Sequence, residues 1–161
     1  MTATLSLGRR RGWRSFRLSA ALVVPAPIDT VFAFFADAGN LEAITPTWLH
    51  FRVLQVAPPA VRCGTVIDYR LRLHGLPLRW RSGISAWDPP HRFVDEQLRG
   101  PYRRWHHEHT FGAVAGGTEV RDRVDYELRL GAAVGARLVA RDVRAIFAYR
   151  QRTLAARFGE G

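Results

Sequence analysis

Lysine is absent from this chain of 161 residues, and all 24 of its basic residues are arginine. We read that uniformity as a coding bias, so the choice of arginine carries no message about bidentate recognition. Cysteine occurs once, as Cys63, which excludes an internal disulfide and any site built from several thiolates. A secreted scaffold held together by disulfides is set aside with it. No apolar run approaches the roughly 20 residues that cross a bilayer as a helix. The apolar stretch from Ala20 to Val24 falls short of the about 7–15 residues of an export core, and Pro25 and Pro27 end it. We therefore read no signal segment and expect a cytoplasmic protein. Internal repeats, low-complexity tracts, a Gly-rich phosphate loop, a Gly-x-Ser-x-Gly elbow and zinc-finger spacing are also missing.

The residues present point to one packed domain. Apolar residues make up 47% of the chain, and nine Phe, five Trp and four Tyr are enough aromatic surface to rule out extensive disorder. The formal charge of +10 attracts anionic partners such as phospholipid or nucleic acid. Five arginines crowd between Arg9 and Arg17, where little apolar periodicity is visible. We read residues 1–14 as a flexible basic arm and residues 15–161 as the domain.

Periodicity supplies the element order. Phe16, Leu18, Ala20, Leu22 and Val24 alternate as a first strand with one buried face. Pro27 and Asp29 suit the first turn of a helix, and Ile28, Val31, Phe32 and Phe35 repeat at helical spacing. Gly39-Asn40 stops that helix, and a second short helix or turn covers Leu41 to Ile44. From Phe51 the period changes to two and stays there to Leu128, with Gly and Pro turns at Gly75-Leu76-Pro77, Asp88-Pro89-Pro90, Gly100-Pro101 and Gly116-Gly117. Strands at such close spacing predict an antiparallel meander. Val139, Val143, Ile146, Phe147, Arg150, Leu154 and Phe158 then predict a long amphipathic helix over about residues 134–158. The fold class is α+β. A curved sheet crossed by one long helix is incompletely filled, and the gap is a natural pocket.

This order of motifs resembles a known family. The relevant residues are Pro25-Ala26-Pro27 with Val31-Phe32-Ala33-Phe34-Phe35-Ala36-Asp37, then Asn40-Leu41-Glu42 and Ile44-Thr45-Pro46. Trp87-Asp88-Pro89-Pro90-His91-Arg92-Phe93 follows, then Gly100-Pro101-Tyr102 with Trp105, His107 and Phe111, Gly117-Thr118, and Phe147, Tyr149 and Arg150. Together they resemble the START-like, helix-grip superfamily labelled SRPBCC, in its polyketide cyclase/dehydrase and coenzyme-Q-binding branch. The resemblance implies a curved antiparallel sheet wrapped on a long C-terminal helix, with two short helices between the first two strands. It implies a cavity between sheet and helix, but not one activity: members bind lipids, quinones or hormones, and others cyclise polyketides or hydrolyse small substrates.

Polar residues interrupt the face assigned to the pocket. Asp95 and Gln97 follow Phe93, His107 and His109 follow Trp105, and Asp122 sits between Val120 and Val124. Residues two apart on a strand share a face, so neighbouring strands can gather these groups. A buried carboxylate needs a partner, and imidazole is available. We take His107, His109, Asp95 and Asp122 as catalytic candidates, and Tyr69, Trp80, Ile84, Phe93, Gln97, Trp105, Tyr126 and Phe147 with them as ligand-binding candidates. A register slip would turn His106 and Glu108 inward instead. Two imidazoles and a carboxylate could hold zinc or iron, but His-x-His is common in strands without metal, so we assign no metal and no cofactor. Cys63 has no base beside it and is read as structural.

Three functions follow in order. The first is binding of a small hydrophobic molecule, a lipid, quinone or polyketide-like compound. The second is a cofactor-free cyclase or dehydratase using the pocket His and Asp residues as acid and base. The third is association with RNA or the ribosome, or with an anionic membrane, through the basic surface.

Overall fold

Strand-period segments pair into a single antiparallel sheet in the computed structural model, which describes residues 2–10, 14–131 and 135–159. Its strands are β1 (Ala3–Arg9), β2 (Ser15–Val24), β3 (Arg52–Ala57), β4 (Val66–Leu73), β5 (Leu76–Asp88), β6 (Arg92–Arg99), β7 (Arg104–Val114) and β8 (Gly117–Glu127). The eight lie in the order β1-β2-β8-β7-β6-β5-β4-β3, so β3 to β8 form a meander and β2 closes back beside β8. Helix α1 (Ile28–Ala36) and two short 3-10 turns, Ala38–Leu41 and Thr47–Leu49, occupy the crossover between β2 and β3. Helix α2 (Ala136–Gly159) crosses the sheet. This is the helix-grip α+β fold.

The sheet is bent by its own irregularities. The pairing of β5 with β6 shifts register between Arg81 and Ser82 and again between Ile84 and Ala86, and the pairing of β3 with β4 shifts between Val53 and Gln55. Such bulges bend the strand that carries them and increase its twist. Gly117 closes the β7–β8 turn at φ 140°, and a Cβ there would lie 2.0 Å from the Val24 carbonyl oxygen. Only glycine lets the turn sit that close to the end of β2.

Two apolar groups fill the interior. Phe32, Phe34 and Phe35 of α1 pack with Phe93, Phe111, Ile67 and Ile84 of the sheet. Val143 and Phe147 of α2 pack with Phe16, Leu18, Val124 and Tyr126.

One expectation is corrected here. Residues 3–9 are not a free arm but an edge strand, paired with β2 from Ala3 opposite Leu22 to Arg9 opposite Phe16. Leu5 and Leu7 alternate with Thr4, Ser6 and Gly8, and both pack on the second apolar group together with Val139 and Ile146 of α2. The dense arginines that follow hid this short period-two signal. Residues 1 and 11–13 of the expected arm, and residue 134 of the expected helix, lie outside the described residues. The Gln151 amide of α2 donates to the Thr4 and Ala21 carbonyl oxygens at 2.8 and 2.9 Å, tying the helix to β1 and β2. Removing residues 1–10 is therefore expected to lower the unfolding free energy by about 2–3 kcal/mol. Urea denaturation of the truncated and full chains measures this, and an unchanged midpoint would restore the free arm.

Candidate functional site

Sheet register builds the site. Asp95 on β6 stands opposite His107 on β7, and His109 on β7 stands opposite Asp122 on β8. Acid and base thus alternate at the corners of a small square. Its two hydrogen bonds run diagonally: His107 Nε2 lies 2.8 Å from Asp122 Oδ1, and His109 Nε2 lies 3.1 Å from Asp95 Oδ2. Across the strands His107 Nδ1 is 3.4 Å from Asp95 Oδ2, and His109 Nδ1 is 3.0 Å from Asp122 Oδ1. Both imidazoles therefore bridge the same two carboxylate oxygens. Their rings lie 3.7 Å apart, and Phe93 stacks on His109 at 4.1 Å. The other register is realised on the outer face: His106 meets Glu96 at 2.7 Å, and Glu108 meets Arg92 and Arg123.

Arg150 on α2 completes the charge balance. Its Nη1 lies 3.5 Å from Asp122 Oδ1, and the residue is only 8% exposed. Burial pushes the Asp122 carboxyl up, but Arg150, His107 and His109 outweigh it and hold it well below the usual carboxylate range. Asp95 is likewise held low against its burial by the two imidazoles and Arg150. Burial and the neighbouring His109 push His107 down to about 4, despite both carboxylates. His109 moves the other way, because its contacts with Asp122 and Asp95 exceed its burial. The arrangement favours one neutral and one charged imidazole between two carboxylates and a guanidinium.

A cavity of about 190 Å³ opens beside this ring, between the sheet and α2. Tyr69 and Leu71 on β4, Trp80 and Ile84 on β5, Trp105 on β7 and Phe147 on α2 form walls, and Phe93, Asp95, His107 and His109 face it as well. The aromatic wall is continuous: Tyr69 stacks on Trp80 at 5.8 Å, and Trp80 meets Trp105 edge-on at 5.3 Å. Burial holds the Tyr69 phenol well above its ordinary value, with Asp95 adding to the effect. Its hydroxyl and the Trp80 indole N–H both reach Ser82 Oγ at 3.2 Å.

Three expected ligand contacts fall elsewhere. Gln97 does not line the cavity: its amide donates to the Tyr102 carbonyl oxygen at 2.9 Å and its side-chain oxygen accepts from the Tyr102 N–H, so it staples the β6–β7 loop. Asp122 belongs to the ring but stands behind the imidazoles. Tyr126 is buried beyond the cavity, stacked on Phe16 at 5.3 Å. Cys63 is exposed.

Residue-by-residue reading missed the cavity residues Ser82, Tyr102, Asp142 and Arg150. A signal existed for the last two. Asp142 and Arg150 sit on the same helical stripe as Val139, Val143, Phe147 and Leu154, where a charged side chain faces inward. No comparable signal marked Ser82 or Tyr102.

The sequence profile of the family described as polyketide cyclase / dehydrase and lipid transport matches residues 24–158. The chain belongs to that family. Among solved structures, it resembles the di-domain ARO/CYC StfQ from the steffimycin biosynthetic pathway, with TM-score 0.73 and 17% identity over 92% of this chain and 52% of that one. It also resembles Ms6760 from Mycobacterium smegmatis, with TM-score 0.68 and 18% identity over 96% of each chain. Major latex-like protein 151 from Panax ginseng aligns with TM-score 0.64 and 12% identity over 90% of this chain and 98% of that one. At these identities the structural likeness speaks for the fold alone. No curated protein matches in sequence. No helix among the described residues is long and apolar enough to cross a membrane.

The buried imidazoles make a pH prediction for this family member. His107 titrates near 4 in the folded chain but near the ordinary imidazole value, about 6.5, when unfolded. Its contribution is present above about 6.5 and is lost as pH falls toward 4. His109 is raised, so its contribution is full below about 6.5 and fades as pH rises through its folded value. Stability in chelator-containing buffer should therefore peak near pH 6.5. His107→Gln should flatten the acid limb and His109→Gln the alkaline one, as read by urea midpoints at half-unit pH steps. Parallel curves for all three proteins would contradict the assignment.

Proposed function

We propose that the chain binds a small, mostly apolar molecule carrying at least one polar oxygen group. The supporting observation is a nearly apolar aromatic cavity that ends on a buried, charge-balanced ring of two carboxylates, two imidazoles and one guanidinium. The apolar body lies along Tyr69, Trp80 and Trp105, and the oxygen group meets His107 or Asp95. A cavity of about 150 Å³ lined by aliphatic and aromatic side chains takes up benzene. At about 190 Å³ this one suits a ring with short substituents better than a long acyl chain. Lipids, quinones and polyketide-like molecules remain the candidate classes, with compact aromatic members favoured.

A second reading has its own support. Both diagonal Asp–His contacts are at hydrogen-bond distance, the geometry that acid–base catalysis needs. As a cofactor-free cyclase or dehydratase, the protein would use neutral His107 to take a proton from a carbon next to a ketone. Protonated His109, steadied by Asp95 and Asp122, would return one to the departing oxygen. Contact with an anionic membrane or with RNA rests on net charge alone. Arginines of the outer sheet face such as Arg17, Arg81 and Arg92 are already paired with Asp125, Asp68 and Glu108.

Trp80 and Trp105 supply the test, since a quinone in the cavity quenches their fluorescence. Titration with a series from benzoquinones to anthraquinones, alongside fatty acids and native mass spectrometry of the purified chain, should give saturable one-to-one binding of the compact aromatics. Leu71→Phe, which fills the cavity, should weaken that binding at least tenfold, whereas the exposed change Leu54→Phe should leave it within twofold. No saturable quenching and no co-purifying molecule would end the proposal.

A further inference from the structure

One fully buried nitrogen of the ring lacks any hydrogen bond. His109 Nδ1 is buried without a partner of adequate geometry, although Asp122 Oδ1 lies 3.0 Å away off its axis. A second feature accompanies it. His107 already turns Nε2 toward Asp122, so its Nδ1 faces the Asp95 carboxylate at 3.4 Å without a hydrogen bond between them. A neutral imidazole that donates through Nε2 presents a lone pair at Nδ1. A lone pair facing a carboxylate oxygen gains nothing unless a cation lies between them.

We propose that Asp95 Oδ2, His107 Nδ1 and His109 Nε2 form a site for one divalent transition-metal ion of the zinc or ferrous class. One ligand atom from each of Asp95, His107 and His109 lies within 4.8 Å of the other two. The two distances to Asp95 Oδ2, 3.4 Å from His107 and 3.1 Å from His109, match the separations of about 3.0–3.4 Å between ligand atoms held about 2.1 Å from one ion. Two imidazoles and one carboxylate are a donor set that zinc and ferrous iron accept.

The outer shell supports the assignment independently. A histidine bound to metal hands its remote N–H to a carboxylate or carbonyl, which fixes the ring. Here both remote nitrogens, His107 Nε2 and His109 Nδ1, converge on the same Asp122 oxygen at 2.8 and 3.0 Å. A small rotation of the His109 ring turns the second contact into a hydrogen bond and gives the orphan nitrogen its partner. Arg150 backs Asp122 from the helix side at 3.5 Å, so the outer carboxylate remains ionised without touching the ion. Three protein ligands leave coordination open toward the cavity, where a ligand oxygen would meet a Lewis acid rather than a proton donor.

The test uses the full, tag-free chain stripped of metal. Titration with Co²⁺ should give visible ligand-field absorption that saturates at one equivalent, and one equivalent of Zn²⁺ should abolish it. Cu²⁺ should give an electron paramagnetic resonance spectrum split by two nitrogens. Asp95→Asn and His109→Gln should each weaken Co²⁺ binding at least tenfold, while His106→Gln on the outer face should change it less than twofold. Because the copper spectrum is read on the unmodified chain, it decides even if the ring variants fail to fold. Absence of saturable cobalt absorption, a copper spectrum without two nitrogens, or equal loss in His106→Gln would overturn the site. Quinone titration of the metal-stripped chain keeps the two proposals apart, since the aromatic cavity binds with or without the ion.

Discussion

Two carboxylates beneath a helix, Asp122 buried and Asp95 partly so, must be neutralised where they stand. Ionised groups taken out of water lose several kcal/mol of solvation each, and attraction repays this only when every remaining lone pair and proton is matched. The square of Asp95, His107, Asp122 and His109, backed by Arg150, meets the charge side of that demand with groups from three adjacent strands and one helix, and leaves His109 Nδ1 without a hydrogen bond. Because the partners come from different elements, the ring also fixes how those elements meet. Slipping β7 by one residue against β6 and β8 would bring His106 and Glu108 under the helix, trading one imidazole for a third carboxylate beside Asp95 and Asp122. The polar cluster therefore enforces the pairing that the apolar residues around it favour less sharply.

The cavity follows from how α2 is held. The helix packs on the β1–β2 side, where Val139 and Ile146 meet the region of Leu5 and Leu7. Gln151 fastens it to the backbone there, and its neighbour Arg150 reaches into the ring. Two adjacent residues thus tie the helix to the β2–β8 part of the sheet. Over β4 to β7 the sheet bends away, helped by the irregular pairing of β5 with β6. Aromatic side chains line that space rather than close it, because rings braced edge-on and stacked against one another cannot collapse across the gap.

Much of this was legible in the sequence because period-two and period-3.6 patterns are strong where one face is buried. The strands from Phe51 onward and the terminal helix show that pattern plainly. Edge strand β1 was not legible, since an edge strand buries little and its two leucines precede a block of arginines. Among the site residues, His107, His109, Asp95 and Asp122 could be named because polar groups on a buried face cost free energy and so invite explanation. Gln97 and Tyr126 share that face in sequence yet lie outside the cavity, since alternation gives the side of the sheet and not the depth along it. Gln97 stands where the chain leaves β6 for the next loop, and Tyr126 lies behind Trp105. Arg150 was visible only as one more residue on a helical stripe. Its role depends on which strand lies below, and sequence spacing does not say.

The three chemistries open to this ring share one requirement and differ in one bond. Accepting a hydrogen bond from a ligand hydroxyl, taking a proton from carbon and ligating a metal all need His107 neutral, which its burial and the adjacent His109 provide. They part at the contact between His109 Nε2 and Asp95 Oδ2. A carrier or an acid–base enzyme keeps that hydrogen bond, and the proton in it leaves His109 as a charged donor. A metal site replaces that proton with the ion, so His109 gives up its role as acid. Asp95 is therefore the residue on which the alternatives turn. It is the ring carboxylate that faces the cavity, near Tyr69, whose phenol its charge helps keep protonated. A guest oxygen arriving there meets either a field of hydrogen-bond donors or a cation, and the nitrogen of His109 cannot serve both.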